Sequence, residues 1–166
     1  MTQKLQPTIK ISSDKQFVGM SKKMSLVNDL TGELFRTFMP RKKEILNLKN
    51  SNVLDLRVYN DSYFLEFNPS AEFVKYVLVE CDQLTKVPNG MEVYDFKGGE
   101  YAVFLYKGLA ADKRIYEYIF REWLPSSKYT LDDRPHFEVL GPKTKLNDSD
   151  SEEEIWVPIK LKKEQV

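Results

Sequence analysis

The sequence predicts an α+β fold in which a βαββ unit occurs twice with pseudo-twofold symmetry. Two strand-like stretches align when the sequence is shifted by 85 residues, an amphipathic helix follows each at the same offset, and a proline follows each helix. We expect the two halves to share one antiparallel sheet, with two main helices on one face and a cleft between the halves.

The aligned strands are residues 17–24 and 102–109, in which Val18 falls on Val103. Both stretches alternate between apolar and other side chains, as half-buried strands do. A single amphipathic helix can recur by chance, but a strand, a helix and a proline that all recur at one offset are much harder to explain in this way. We therefore interpret the two stretches as copies of one unit.

Each predicted helix carries one apolar stripe. Its members have the spacing i, i+4, i+5, i+8, and they are Leu30, Leu34, Phe35 and Phe38 in the first half and Ile115, Ile119, Phe120 and Trp123 in the second. Pro40 and Pro125 follow these stripes. We expect them to end both helices, because proline cannot continue the hydrogen-bond ladder.

Two further strand-like runs complete each half. They span residues 53–59 and 73–81 in the first half, and 136–140 and 154–160 in the second. The half-repeats are then about 10–85 and 95–162 within a single domain, residues 1–166, with a turn at residues 87–91 between them.

Composition excludes several classes of protein. The chain has 166 residues with 25 basic and 25 acidic side chains, so it lacks the positive charge of a nucleic-acid-binding domain. No apolar run approaches the roughly 20 residues that cross a bilayer, and the N-terminus lacks the apolar core of a signal peptide. A lone Cys81 has no internal disulfide partner, which predicts a cytoplasmic location.

The same counts limit the chemistry. One His and one Cys cannot build a closed His/Cys zinc site. The sequence has no phosphate-binding loop, and the doublet Gly98-Gly99 is interpreted as a hairpin turn. We expect neither a metal nor a cofactor.

The alignment also predicts which face each side chain occupies. Side chains at alternate positions of a strand point to opposite faces. If Val103 faces the helices as Val18 does, the opposite face carries an aromatic and acidic set: Phe104, Tyr106, His136, Glu138, Glu154 and Trp156.

Such a surface is typical of a small-molecule pocket. A carboxylate beside an indole suits a cation, and Glu154 beside Trp156 is the predicted pair. Trp123 at a helix end, and Tyr59 and Tyr76 in the equivalent strands of the first half, complete the candidates. Plain alternatives stay open: a core role for Trp156, a solvated acidic run for Glu154, and a structural, hydrogen-bonded His136.

Four segments resemble the signatures of GyrI-like small-molecule-binding domains, the effector-binding domains of AraC- and MerR-type regulators. They are residues 99–104, 123–129, 134–138 and 151–160, and residues 63–69 and 72–76 resemble the family more loosely. The resemblance extends over roughly residues 10 to 162. It implies a duplicated βαββ fold with a ligand cleft between the halves.

The resemblance further implies that a glutamate four residues before the proline of the last strand contacts the ligand. That position is Glu154, before Pro158, with Trp123, Tyr106 and Trp156 around it. Only about 15 residues precede the first repeat, fewer than a DNA-binding domain needs. We therefore expect a stand-alone bacterial module related to transcription regulation and multidrug recognition, without direct DNA or membrane binding.

Three functions remain open. The first is a sensor or sequestering protein for small hydrophobic molecules, with cationic ones among them. The second is a hydrolase of strained, cyclopropane-type natural products, with Glu154 as general base or nucleophile and Tyr106 or His136 as proton donor. The third is a protein-interaction module, with DNA gyrase or a separate regulator as the partner.

Overall fold

The computed structural model describes residues 5–83 and 86–163. The strands found in these residues form one mostly antiparallel sheet. They are β1 (Thr8–Ser12), β2 (Lys15–Met24), β3 (Val53–Val58), β4 (Phe73–Glu80), β5 (Glu92–Phe96), β6 (Gly99–Lys107), β7 (Tyr129–Leu131), β8 (His136–Leu140) and β9 (Glu152–Leu161).

The strand order shows the duplication. It runs β1-β6-β9-β8-β3-β4-β2-β5, and β7 pairs with β9 beside this path. The three strands β2, β3 and β4 of the first half correspond to β6, β8 and β9 of the second, and the halves meet where β3 pairs with β8. Each half also exchanges its first strand, since β1 pairs with β6 and β5 pairs with β2.

The sheet has to curl because of two short connections. Residues 13–14 join β1 to β2, and residues 97–98 join β5 to β6, yet each pair lies six strands apart in the order. In a flat sheet six steps would span about 29 Å, whereas two residues and their flanking bonds reach roughly 11 Å. The two ends of the sheet therefore approach each other, and Phe96 stacks on Tyr101 at a centroid distance of 6.1 Å.

Both expected helices are present. The first, α1, spans Thr31–Phe38 and continues as a 3₁₀ turn over Met39–Glu44. The second consists of α2 (Arg114–Tyr118), a π-helical turn (Ile119–Trp123) and α3 (Leu124–Ser126), and we call residues 114–126 the second helical segment.

The two prolines end the helices less abruptly than expected. Pro40 lies in the first turn of the 3₁₀ segment, and Pro125 lies inside the last turn of the second helical segment. Each proline lies just after a change in helical hydrogen-bond spacing, from α to 3₁₀ before Pro40 and from π to α before Pro125.

Each helix buries its apolar stripe against its own half of the sheet. Leu34 and Phe38 pack on β2 and β4. Ile115, Ile119 and Trp123 pack on β6 and β9. A third apolar cluster fills the opposite, concave face, where the curled sheet covers itself; its buried members include Phe17, Leu56, Leu78, Tyr101 and Phe137.

The predicted face of β6 is wrong. Phe104 is fully buried beneath the second helical segment, whereas Val103 faces the concave cluster and Leu105 is 60% exposed. In the folded chain Met20 and Phe104 are equivalent, an offset of 84, while Leu34 and Ile119 keep the offset of 85. A gapless alignment thus misplaces β6 by one residue, and such a slip exchanges the two faces of a strand.

Within the described residues, no helix is long and apolar enough to span a membrane.

Gly98 tests the curl. A Cβ at this position would overlap the Ser12 backbone carbonyl, at the point where the two short connections meet and the Gly98 N–H donates to Asp14 Oδ1 at 2.8 Å. We expect Gly98→Ala to lower the free energy of unfolding by about 2 kcal/mol. The measurement is the midpoint of urea unfolding.

Gly32→Ala in α1 is the matched control. The nearest atom to the new Cβ there is the mobile end of Arg36, at 3.0 Å. We expect this substitution to be neutral or stabilising by up to about 1 kcal/mol, because alanine is the better helix former. Equal midpoints for the two variants would contradict the role of Gly98.

Candidate functional site

The cleft lies between α1 and the second helical segment. Each helix covers the outer strands of its own half, so the central strands β3 and β8 are left between them. Strand pairing places Asp55 opposite Glu138 and Arg57 opposite His136. All four therefore share the face of the sheet that the helices cover, and Glu153 joins them from β9.

Two ion pairs organise the floor of the cleft. Lys75 Nζ lies 3.2 Å from Asp55 Oδ2 and also donates to Thr31 Oγ1 at 2.8 Å, which links the floor to the start of α1. Arg57 Nη1 donates to Glu138 Oε1 at 3.4 Å. The side chains of both pairs are largely buried, so solvent screens them weakly.

Glu153 is the acid without a cation. It is 9% exposed, and no side chain in residues 5–83 or 86–163 forms a hydrogen bond or ion pair with it. Desolvation, together with the nearby carboxylates of Glu138 and Asp55, raises its pKa to about 7. At neutral pH this carboxyl is therefore poised between its neutral and charged forms.

Three polar atoms around the floor are buried and lack a hydrogen-bond partner within the described part of the chain. They are Asp55 Oδ1, Arg57 Nε and the Tyr116 hydroxyl. Buried polar atoms usually find a partner, because leaving one unsatisfied costs about 1–3 kcal/mol. Three such atoms close together are typical of a site that binds a further polar or charged group.

Aromatic rings close the cleft from above. Phe64, from the loop between β3 and β4, stacks on His136 and on Phe120 at centroid distances of 5.1 and 5.8 Å. Tyr59 contacts His136 edge-on at 5.1 Å. The Arg57 guanidinium lies 5.7 Å from the centre of the Tyr116 ring, so the floor and the aromatic walls are in direct contact.

His136 takes part as a neutral ring. Burial, with the positive charge of Arg57 beside it, lowers its pKa to about 3. At neutral pH its contribution to the cleft is therefore an uncharged aromatic surface.

The structure brings together four of the residues predicted for the site. Tyr59, His136 and Glu138 lie in the cleft, and Tyr106 lies across from Glu153 on the same face of the paired strands β6 and β9. Tyr106, His136 and Glu138 are thus on the face that the helices cover, so their predicted place on the opposite face is wrong. The Tyr106 hydroxyl donates to the carbonyl of Leu109 at 2.7 Å. Its ligand-binding role, like that of the other three, stays a prediction.

The predicted pair Glu154 and Trp156 lies on the concave face, away from the helices, as the alternation of β9 predicts, whereas the cleft lies on the face that the helices cover. Its ligand-binding role stays a prediction. Trp156 packs on Phe137 and Tyr101 in the concave cluster, and its indole N–H donates to Glu154 Oε1 at 3.1 Å. Trp156 pairs with Phe137 across β8 and β9, which places His136 and Glu138 on the opposite side from it.

Three other candidates also lie outside the cleft. Tyr76 stacks with Tyr94 on the concave side at 4.8 Å. Trp123 packs edge-to-face against the buried Phe104 at 5.2 Å. Tyr76, Trp123 and Phe104 therefore pack against other side chains in this structure, and their ligand-binding role stays a prediction.

A cavity of about 790 Å³ lies outside the cleft, at the edge of the sheet. The last residues of β6 and the outer side of the second helical segment line it, including Leu105, Arg114, Tyr118 and Arg121. Charges of both signs line this cavity, and Tyr106 stands between it and Glu153.

Sequence reasoning missed the main polar residues of the floor. Asp55 and Arg57 alternate with Leu54, Leu56 and Val58, and this alternation was a usable signal. Glu153 stands next to the glutamate that was chosen. Only the pairing register of β9 distinguishes the two.

One family model matches most of the chain. The model of one family, Cass2, described as integron-associated effector binding protein, matches residues 9–159. No curated protein matches the chain.

Several solved structures share the fold. SAV2435 bound to tetraphenylphosphonium is 15% identical with a TM-score of 0.71, and 94% of each chain is covered. An integron cassette protein from Vibrio cholerae is 13% identical with a TM-score of 0.66, covering 93% of this chain and 96% of that one. The C-terminal domain of EcmrR is 13% identical with a TM-score of 0.71, covering 95% of this chain and 98% of that one.

At these identities the neighbours establish the fold, a GyrI-like α+β sheet with two helices. Together with the family description they support a small-molecule-binding module. The family model covers most of the chain. The chain belongs to the family of integron-associated effector binding proteins.

Proposed function

We propose that the cleft binds a hydrophobic organic cation and that the protein acts as a sensor or a sequestering protein for it. The observation that carries the proposal is a buried acid on the floor without an ion pair. Arg57 and Lys75 are paired with Glu138 and Asp55, whereas Glu153 forms no ion pair within the described residues, although the charges of Lys113 and Arg57 act on it from a distance.

A cationic ligand would compensate the cost of burying the charged form of Glu153. A buried carboxyl without a partner takes up a proton, pairs with a base or binds a positive ligand. Within the described residues Glu153 forms no ion pair, and desolvation raises its pKa. A bound cation would stabilise the charged form, and the surrounding rings would add cation–π attraction.

The ligand-bound neighbour supports this chemistry. SAV2435 was solved with tetraphenylphosphonium, a monovalent cation whose charge lies within four phenyl rings. That molecule combines the two features that the cleft favours, positive charge for the carboxylates and aryl surface for the aromatic walls.

Matched substitutions on β9 test the site. We expect Glu153→Gln to weaken tetraphenylphosphonium binding by about tenfold or more, because it removes a partly desolvated charge partner. Glu154→Gln, one residue away on the other face, should stay within about threefold of wild type. Isothermal titration calorimetry measures both affinities.

Tetraphenylborate is the matched control ligand, because it has nearly the same shape and the opposite charge. It should bind at least tenfold more weakly than tetraphenylphosphonium. Equal binding of the two ions, or loss of binding in Glu154→Gln alone, would overturn the assignment of Glu153.

The pKa of Glu153 predicts how stability depends on pH. The folded chain holds this proton up to about pH 7, whereas an unfolded glutamate loses it near 4.3. Unfolding therefore releases a proton between these values, and the contribution of Glu153 to the free energy of unfolding falls as pH rises through the window.

In Glu153→Gln this contribution is absent. As pH rises from 4 to 8, we expect the free energy of unfolding of the ligand-free variant to increase relative to that of wild type by on the order of 2 kcal/mol. Urea unfolding at a series of pH values measures the difference. A constant difference across this range would show that Glu153 has an ordinary pKa.

A hydrolase is the second candidate, favoured by the same acid. A carboxyl whose pKa lies near 7 is suited to general-base catalysis at neutral pH. Turnover of a cyclopropane-bearing electrophile by wild type, and its loss in Glu153→Gln, would establish this activity. If the compound binds but is unchanged after long incubation, the protein is a binding protein and the hydrolase proposal is wrong.

The expected partners, DNA gyrase or a separate regulator, and the cytoplasmic location stay predictions.

A further inference from the structure

The ring of Phe64 occupies a position that a ligand could use. It contacts Tyr59, Tyr63, Phe120 and His136, at centroid distances between 4.9 and 5.8 Å. We call Tyr59, Phe120 and His136 the aromatic corner. Despite these contacts the residue is 46% exposed, so its ring lies at the mouth of the cleft and not in the core.

The segment that carries Phe64 is held to the sheet mainly through its rings. The backbone hydrogen bonds found for residues 60–65 stay within the segment: Tyr63 N–H donates to the Asn60 carbonyl and Leu65 N–H to the Ser62 carbonyl. The neighbouring Leu65 and Phe67 point to solvent, and Phe67 is 83% exposed. The Phe64 ring can therefore leave the corner without breaking these backbone hydrogen bonds.

The corner adjoins the acidic floor. His136 and Glu138 lie on the same face of β8, two residues apart, which is about 7 Å along a strand. A cation that carries an aryl ring spans this distance, with its charge above the carboxyls and its ring in the corner. Because His136 is neutral, it does not repel such a cation.

We propose that the aromatic corner is the aryl subsite of the cleft and that Phe64 is a built-in competitor, which the ring of the ligand displaces. This proposal rests on the cation-binding function proposed above. The ligand class is thereby narrowed to cations with at least one flat aryl group, and Phe64 sets the threshold of affinity that a ligand has to exceed.

Removing the competitor should strengthen binding. If the corner is mostly filled by Phe64, the apparent dissociation constant of wild type is raised by the inverse of the free fraction. We expect Phe64→Ala to bind tetraphenylphosphonium about tenfold more tightly than wild type, measured by calorimetry. Phe67→Ala, on the same loop with an exposed ring, should match wild type.

A neutral probe separates this proposal from the function of the floor. Benzyl alcohol at millimolar concentration should raise the melting temperature of Phe64→Ala, and also of Phe64→Ala combined with Glu153→Gln, but not that of wild type. Phe64→Leu, which keeps an apolar filler, should respond less than Phe64→Ala and guards against misfolding of the alanine variant. Each variant is compared with itself without the probe.

The outcomes distinguish the two claims. If tetraphenylphosphonium binds neither wild type nor Phe64→Ala while benzyl alcohol stabilises Phe64→Ala, the corner is an aryl site and the cation-binding function fails. If wild type binds tetraphenylphosphonium but Phe64→Ala binds equally or more weakly and ignores benzyl alcohol, Phe64 is a packing residue or part of the binding surface, and the proposal is overturned.

Discussion

The curl of the sheet is the constraint on which the rest of the molecule depends. Two connections of two residues join strands that lie six positions apart, so the ends of the sheet must meet. Because the ends of the sheet meet, strands from the two halves bury the apolar cluster on the concave face, and no helix is needed to cover it. Both helices are then free to pack on the outer face, one on each half.

This division leaves the central strands uncovered by either helix, and the chain places its charges there. Asp55, Arg57 and Glu138 occupy positions that an apolar core residue would fill if a third helix lay above them. Charges in such a place carry a desolvation cost that their mutual attraction offsets only in part. Among residues 5–83 and 86–163, Glu153 has no ion pair, and buried polar atoms of Asp55, Arg57 and Tyr116 have no hydrogen-bond partner.

The aromatic residues partly exclude water from the charged groups on the floor of the cleft. Rings from the second helical segment and from the loop between β3 and β4 meet above the acids. In a medium of lower dielectric constant a charge interacts more strongly with its partner. The cleft thus combines carboxyl groups on its floor with apolar aromatic walls, the two features on which the proposed binding of a hydrophobic cation rests.

The sequence by itself determined the duplicated unit, the positions of both helices and the cleft between the halves, because hydrophobic periodicity and repeated spacing are local properties of the chain. The sequence also predicted Tyr59, His136 and Glu138 as site residues, and all three lie in the cleft, although His136 and Glu138 are on the face opposite to the predicted one. Only the tertiary structure decided which face each strand shows. A one-residue difference in offset between strand and helix exchanged Phe104 with Val103, and the pairing of Trp156 with Phe137 places Glu153, and not Glu154, on the face of the cleft. Register depends on hydrogen bonds to strands distant in the chain, which a local pattern does not contain.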